Sequence, residues 1–127
     1  MKRPRQSLTV IAEPVPKARP RIGKNNNVYT PRESRDYETL IAWEAKKLPR
    51  YVGPVALNIT FYITPGRRAD LDNLAKSVMD GLQQGGALED DVQVKELHVT
   101  VMQETKQPRM TVSIVALNEV RQLDPEI

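Results

Sequence analysis

The sequence predicts one α/β (α+β) domain, a mixed β-sheet with two α-helices in the order β-α-β-α-β-β. Three observations carry that prediction. The chain has 127 residues, within the ~100–200 typical of one domain, and no internal repeat or linker divides it. Short runs rich in β-branched side chains stand at 7–13, 54–63, 92–104 and 110–117, the signature of strands. Two other stretches space apolar residues by three or four between helix start and stop signals. Residues 118–127 carry no such pattern and read as a flexible tail.

The first run, SLTVIAE, is followed by PVPKARPRIGKNNNVYTP, too rich in Pro, Gly and Asn for regular structure. This loop presents Lys17, Arg19, Arg21 and Lys24, which suit an extended phosphate backbone or simple solvation. Thr30-Pro31-Arg32-Glu33 has the form of a capping box with proline at the first helical position, predicting a helix to about Leu48. Tyr37, Leu40, Ile41, Ala45 and Leu48 form its apolar face. Trp43 stands on a neighbouring face as a core or interface anchor. Pro49 to Pro54 breaks this helix, and PVALNITFYI returns as a central or half-buried strand.

Leu71, Leu74, Val78 and Leu82 then predict a helix over 71–84, capped by Asp70 and stopped by Gly85 and Gly86. In the strand that follows, Val92 and Val94 are out of phase with Leu97, Val99 and Val101. A bulge near Lys95 and Glu96 would return both sets to one face. The turn at 106–109, with Pro108, predicts that the last strand closes a hairpin as an antiparallel partner.

Chemistry concentrates in RRADLDNLAKSVMDGLQQGGALEDDVQ, residues 67–93. Asp72 and Lys76 are four apart on one helix face and Asp70 enters the same first turn; Glu89, Asp90 and Asp91 precede the next strand. Carboxylate clusters of this type suit Mg²⁺, which binds oxygen ligands and retains waters and phosphate oxygens, and phosphodiester cleavage is the chemistry implied. Lys76 would add positive charge near the scissile phosphate. Capping and dipole effects also account for Asp70 and Asp72, and Asp72–Lys76 also reads as a solvated pair, so both readings stand on spacing alone. Arg67 and Arg68 suit flanking phosphates or solvent equally.

Composition narrows the classes. Without cysteine there are no disulfides or thiolate sites, and His98 alone makes no histidine-rich metal centre. No run spans a membrane and MKRPRQ lacks the apolar core of a signal peptide, so a cytoplasmic protein is expected. Net charge is +3, unevenly placed: residues 1–35 hold nine Lys or Arg against two acids, the remainder ten against fourteen. A basic arm for a polyanion beside an acidic, cation-binding centre follows.

D-L-D-N-L-A-K at 70–76, M-D-G-L at 79–82 and, after a glycine turn, E-D-D-V-Q at 89–93 resemble the RusA family of Holliday-junction resolvases. P-V-P-K-A-R-P-R resembles the N-terminal segment of one branch of that family. The resemblance implies a Mg²⁺-dependent homodimeric endonuclease that resolves four-way DNA junctions by paired symmetric nicks. It implies Asp70, Asp72 and Asp91 as metal-binding catalytic acids, Asp90 standing second to Asp91, and Lys76 as their essential partner. Asn73 would orient a carboxylate or contact phosphate, beside DNA contacts from Lys17, Arg19, Arg21, Lys24, Arg67 and Arg68. Two other functions are weighed against it: a non-catalytic DNA-binding protein whose acids are caps, and a metal-dependent phosphoesterase for another branched nucleic acid.

Overall fold

A computed structural model describes residues 6–18, 21–29 and 31–117, the side chains of Arg21 and Tyr29 excepted. Thr30, Arg19 and the tail from 118 lie outside the described residues. The elements are β1 (Gln6–Val10), β2 (Arg21–Ile22), β3 (Val28–Tyr29), α1 (Arg32–Ala45), β4 (Val55–Ile63), α2 (Leu71–Gln84), β5 (Val94–Gln103) and β6 (Arg109–Ala116). The expected α+β architecture holds, with one addition: the basic loop contains a two-residue antiparallel pair, β2 with β3, around a 3₁₀ turn at Lys24–Asn26. Asn25 and Asn26 take positive φ there, which asparagine tolerates better than other side-chain-bearing residues.

The main sheet runs β1-β6-β4-β5. β4 pairs in parallel with β5 and antiparallel with β6, and β1 pairs antiparallel with β6. The expected β5–β6 hairpin is therefore incorrect, since β4 stands between the two strands. Stepping over β4 spans about 10 Å, two strand spacings, and residues 104–108 bridge it, with Glu104 N–H donating to Ile63 O at 2.8 Å. The bulge is where the phase of the valines puts it. Val55 faces Val94 and Ala56 faces Glu96, leaving Lys95 as the extra residue. Val94, Val99 and Val101 consequently pack on one core, whereas Val92 and Leu97 of the same two sets are exposed.

Both helices cover a single face of the sheet. Leu57, Ile59, Phe61, Val112 and Ile114 meet Tyr37 and Ile41 of α1 and Leu74, Val78 and Leu82 of α2 in one buried cluster. The opposite face is polar: Ser7 and Thr9 on β1 and Asn58 on β4 are exposed, and Thr60 and Ser113 are partly so.

Pro31 is the N-cap of α1 and Arg32 its first helical residue, so the proline stands one position before the one expected, and the predicted box rests on Thr30, outside the described residues. Proline cannot donate, and its fixed φ costs nothing at an entry position. Leu40 and Trp43 are exposed, correcting their assignment to an apolar face or core; Trp43 is 63% exposed with Lys46 Nζ 4.8 Å from its ring centroid. Leu71 likewise points outward.

Two glycines set the distance between the helices. A Cβ on Gly81 would lie 2.6 Å from Ile41 Cβ and Cγ2, and one on Gly85 would lie 2.5 Å from Ala42 O. Only hydrogen fits at these crossings. Gly85 is still right-handed, and Gly86, at φ +90°, makes the reversal out of α2.

Residues 13–18 form a strap over the two helices and the end of β4. Glu13 accepts from Thr64 N–H at 3.1 Å and from the Thr64 hydroxyl. Ser77 Oγ donates to Val15 O at 2.8 Å, and Lys17 N–H donates to Asn73 O at 2.7 Å. The Lys17 ammonium ends between Glu38 (2.7 Å) and Asp80 (3.1 Å), with its side chain 23% exposed. Desolvation lowers the Lys17 pKa, but the bonds to Glu38 and Asp80 outweigh it and leave the ammonium above its ordinary range.

Gly81→Ala should gain ~1 kcal/mol of helix propensity yet lose more by wedging α1 from α2, a net destabilisation of about 1–2 kcal/mol in urea unfolding. Gly53→Ala, where a Cβ meets open space, should stay within about 0.5 kcal/mol. Lys17→Met should cost about 1–3 kcal/mol at pH 7, because two carboxylates lose a charged donor. Because folding raises the lysine pKa, this contribution is fully present below pH ~10.5 and fades as pH rises through the folded value. Unfolding curves of both proteins at pH 7 and pH 11 should therefore converge at the higher pH.

Candidate active site

The site is built on the two turns that join α2 to its flanking strands. After β4, Thr64 to Arg67 makes a tight turn, with Arg67 N–H donating to Thr64 O at 3.1 Å and Gly66 at φ +89°. Glu13 of the strap holds Thr64 from the other side and lies 3.9 Å from Arg67 Nε. This fixes where α2 starts. Arg67 and Arg68 are exposed, and Arg68 makes no hydrogen bond or ion pair among the described residues.

Asp70 caps α2 as its sequence position predicts. Its Oδ1 accepts from Asn73 N–H at 3.3 Å and its Oδ2 from Asn73 Nδ2 at 2.7 Å. Asn73 thus orients the carboxylate, one of the two roles its position suggested. Asp72 is exposed and bonded to nothing among the described residues, directed to solvent from the first turn of the helix. One turn on, Lys76 Nζ approaches Asp91 Oδ2 at 3.7 Å. The side chains are 48% and 38% exposed, and a pair this wet contributes roughly 0–1 kcal/mol to stability. Stability does not explain it.

Asp91 opens the 3₁₀ turn Asp91–Gln93, capped by Asp90. Asp90 Oδ1 accepts from Val92 N–H at 3.1 Å. That bond, with a lesser one to the Asp91 side chain, holds the Asp90 carboxyl below the usual range. The cap is therefore formed at neutral pH and lost as acid protonates the group. Gln93, which sequence reasoning gave no role, completes a capping box, accepting from Glu89 N–H at 2.7 Å and Asp90 N–H at 3.0 Å. The Asp-x-x-Gln spacing was the signal for it. Arg50 Nη2 reaches Glu89 Oε2 at 2.9 Å on the outer side of the turn.

The fold brings Lys76 to Asp91 and Asn73 to Asp70. Among the described residues, no group of three or more His, Cys, Asp or Glu stands close enough to hold a metal ion by itself. The acids are arranged along the first turns of α2 and across Lys76, not in a single cluster. Of the basic loop residues, Lys24 is exposed in the 3₁₀ turn, Lys17 is directed inward to Glu38 and Asp80, Arg19 lies outside the described residues, and the Arg21 side chain likewise. His98 is exposed on β5, away from these turns. No helix among the described residues is long and apolar enough to cross a membrane.

The sequence model of the family described as endodeoxyribonuclease RusA matches residues 12–115, from the strap through both helices into β6. A relative, crossover junction endodeoxyribonuclease RusA of Aquifex aeolicus (strain VF5), is 29% identical over 94 residues, covering 67% of this chain and 71% of the relative. With the family match spanning the whole α2 unit and both of its acidic turns, the chain belongs to the RusA family of endodeoxyribonucleases.

Proposed function

We propose that the protein is a Mg²⁺-dependent, homodimeric endonuclease that cuts four-way DNA junctions by paired symmetric nicks. The substrate class comes from the name of the Aquifex relative. The observation that carries the chemistry is the approach of Lys76 to Asp91 at 3.7 Å, one helical turn from the unbonded Asp72. A solvent-facing cation between two sets of acids has little structural value, and it is what a phosphate oxygen needs when a P–O bond breaks.

The donor set fits magnesium. Asp70, Asp72 and Asp91 offer only carboxylate oxygens, and Mg²⁺ is commonly held by one or two carboxylates with waters and substrate phosphates completing its shell. A preformed cage of three acids is therefore not required. When bound, the ion supplies charge at the phosphate and a more acidic water.

The chain's own side chains do the rest. Asn73 holds the Asp70 carboxylate in one orientation, and Lys76, beside Asp91, places an ammonium against a non-bridging phosphate oxygen. Arg67 and Arg68, exposed just before the helix, meet flanking phosphates, and Lys24 extends the basic surface. Lys17, held by Glu38 and Asp80, serves by fixing the strap and not by touching DNA. Hydrolysis forms one P–O bond from water and breaks one to a sugar oxygen, which takes up a proton. A two-fold junction cut on opposing strands calls for two such sites related by two-fold symmetry.

A synthetic four-way junction with linear duplex as control, in Mg²⁺ and in EDTA, tests this. Wild type should give paired symmetric nicks only with Mg²⁺. Asp72→Asn and Asp91→Asn should each lose about 100-fold or more in rate while junction affinity stays within about twofold. Binding without any cleavage would favour a DNA-binding protein, and equal cutting of duplex a general phosphoesterase. Arg68→Ala should weaken binding to every sequence alike and reduce the salt slope by about one.

A further inference from the structure

We infer that Gln93 is the positioning residue that holds Asp91 in register with Lys76, so that the second acidic turn is set by one buried amide. The inference rests on the functional reading above for the role of Asp91, but its structural basis is independent. Gln93 is 8% exposed. Its Oε1 accepts from Glu89 N–H (2.7 Å) and Asp90 N–H (3.0 Å), and its Nε2 donates to Tyr51 O (2.8 Å) and Gly53 O (2.9 Å).

These four bonds use both hydrogens of the amide and both lone pairs of its oxygen. Only one orientation is possible, since backbone N–H groups must meet the oxygen and carbonyls the NH₂. The side chain stitches two segments far apart in sequence, the turn before β5 and the entry to β4. Asp91 lies between the residues so tied, and its own bond to the Asp90 carboxylate joins neighbours within the same turn and does not tie that turn to the rest of the fold. Its contact with Lys76 and the Arg50–Glu89 pair are both solvent-exposed, and such pairs do not fix geometry. The parallel bridge of Tyr51 with Leu88, with Tyr51 N–H donating to Ala87 O at 2.8 Å, fixes the chain just upstream. Past Leu88, Gln93 is the buried tie.

No other side chain of this size replaces it. Glutamate keeps the two acceptor bonds and loses both donors, leaving its charge against Tyr51 O and Gly53 O. Methionine keeps the shape and supplies none of the four bonds. A substitution here should therefore move Asp91 as well as destabilise the fold, and the two effects are separable.

The test compares Gln93→Glu and Gln93→Met with wild type and with Ile114→Val, a core control in β6 that lowers stability without touching the turn. All are measured at a temperature where circular dichroism gives the wild-type spectrum. Three readouts are taken: amide hydrogen exchange at Glu89 and Asp90, Mn²⁺-induced broadening of the Asp91 amide signal, and single-turnover cleavage of a saturating four-way junction. For Gln93→Glu the expectation is faster exchange at one or both amides, a Mn²⁺ midpoint raised roughly 10–100-fold, and a comparable loss of cleavage rate, the usual effect of removing a group that orients a metal ligand. Junction affinity should stay within about twofold, and Ile114→Val should match wild type in all three.

Unchanged Mn²⁺ midpoints and cleavage rates in both Gln93 variants would overturn the inference, as would wild-type protein that shows no Mn²⁺ broadening at Asp91. If wild type cuts no DNA, the functional reading fails separately. A raised Mn²⁺ midpoint in the variants would then still support the positioning role, and an unchanged one would refute it.

Discussion

The parallel pairing of β4 with β5 is the constraint on which the site depends. Neighbouring parallel strands cannot be joined by a tight turn, so the chain must travel back along the sheet, and α2 makes that journey. One end of the journey is the turn that carries Arg67, Arg68 and the Asp70 cap; the other is the turn that carries Asp90 and Asp91. The helix between them presents Asp72 and Lys76. The two glycine crossings with α1 settle how closely this helix lies against its neighbour, and the strap from Glu13 to Lys17 pins its first half. Each part of the candidate site is thereby tied to buried structure, although the side chains of Asp72, Lys76 and Asp91 are themselves wet.

Much of this was legible in the sequence because it is local. The bounds of α2 follow from an apolar stripe, an aspartate cap and a glycine pair, and the observed helix has the expected ends. The bulge at Lys95 followed from two valine sets in opposite phase. What misled was pairing. A strand with one apolar face looks the same whichever strand it neighbours, and Pro108 suggested a turn that instead steps over β4. Leu40 misled for a related reason: the apolar stripe of α1 was drawn one position too wide, and the residues that reach the core are Tyr37, Ile41 and Ala45.

The site was legible in its residue types and less so in their arrangement. Asp70 accepting from Asn73 N–H is a first-turn cap that its position foretells. Lys76 meeting Asp91 joins a helix face to a turn fifteen residues later, which depends on where the crossover ends. The inward course of Lys17 depends on Glu38 and Asp80, acids from both helices that a reading of charge runs cannot pair with one loop lysine. Polar ties such as Gln93 and Glu13 escape a search for reactive residues because they include bonds to backbone groups.

The strand order has a consequence for how the chain assembles. β6 is the last of the described strands, yet it lies inside the sheet and pairs with both β1 and β4. On a ribosome, β4 and β5 can meet across α2 as soon as they emerge, but β1 has no edge to join until β6 follows. The first strand must wait through synthesis for a partner about a hundred residues away, although the strap that follows it already has its partners on α1, α2 and Thr64. Closing so long a loop is slow, so the βαβ unit that bears the acids can form before β1 takes its place at the edge of the sheet.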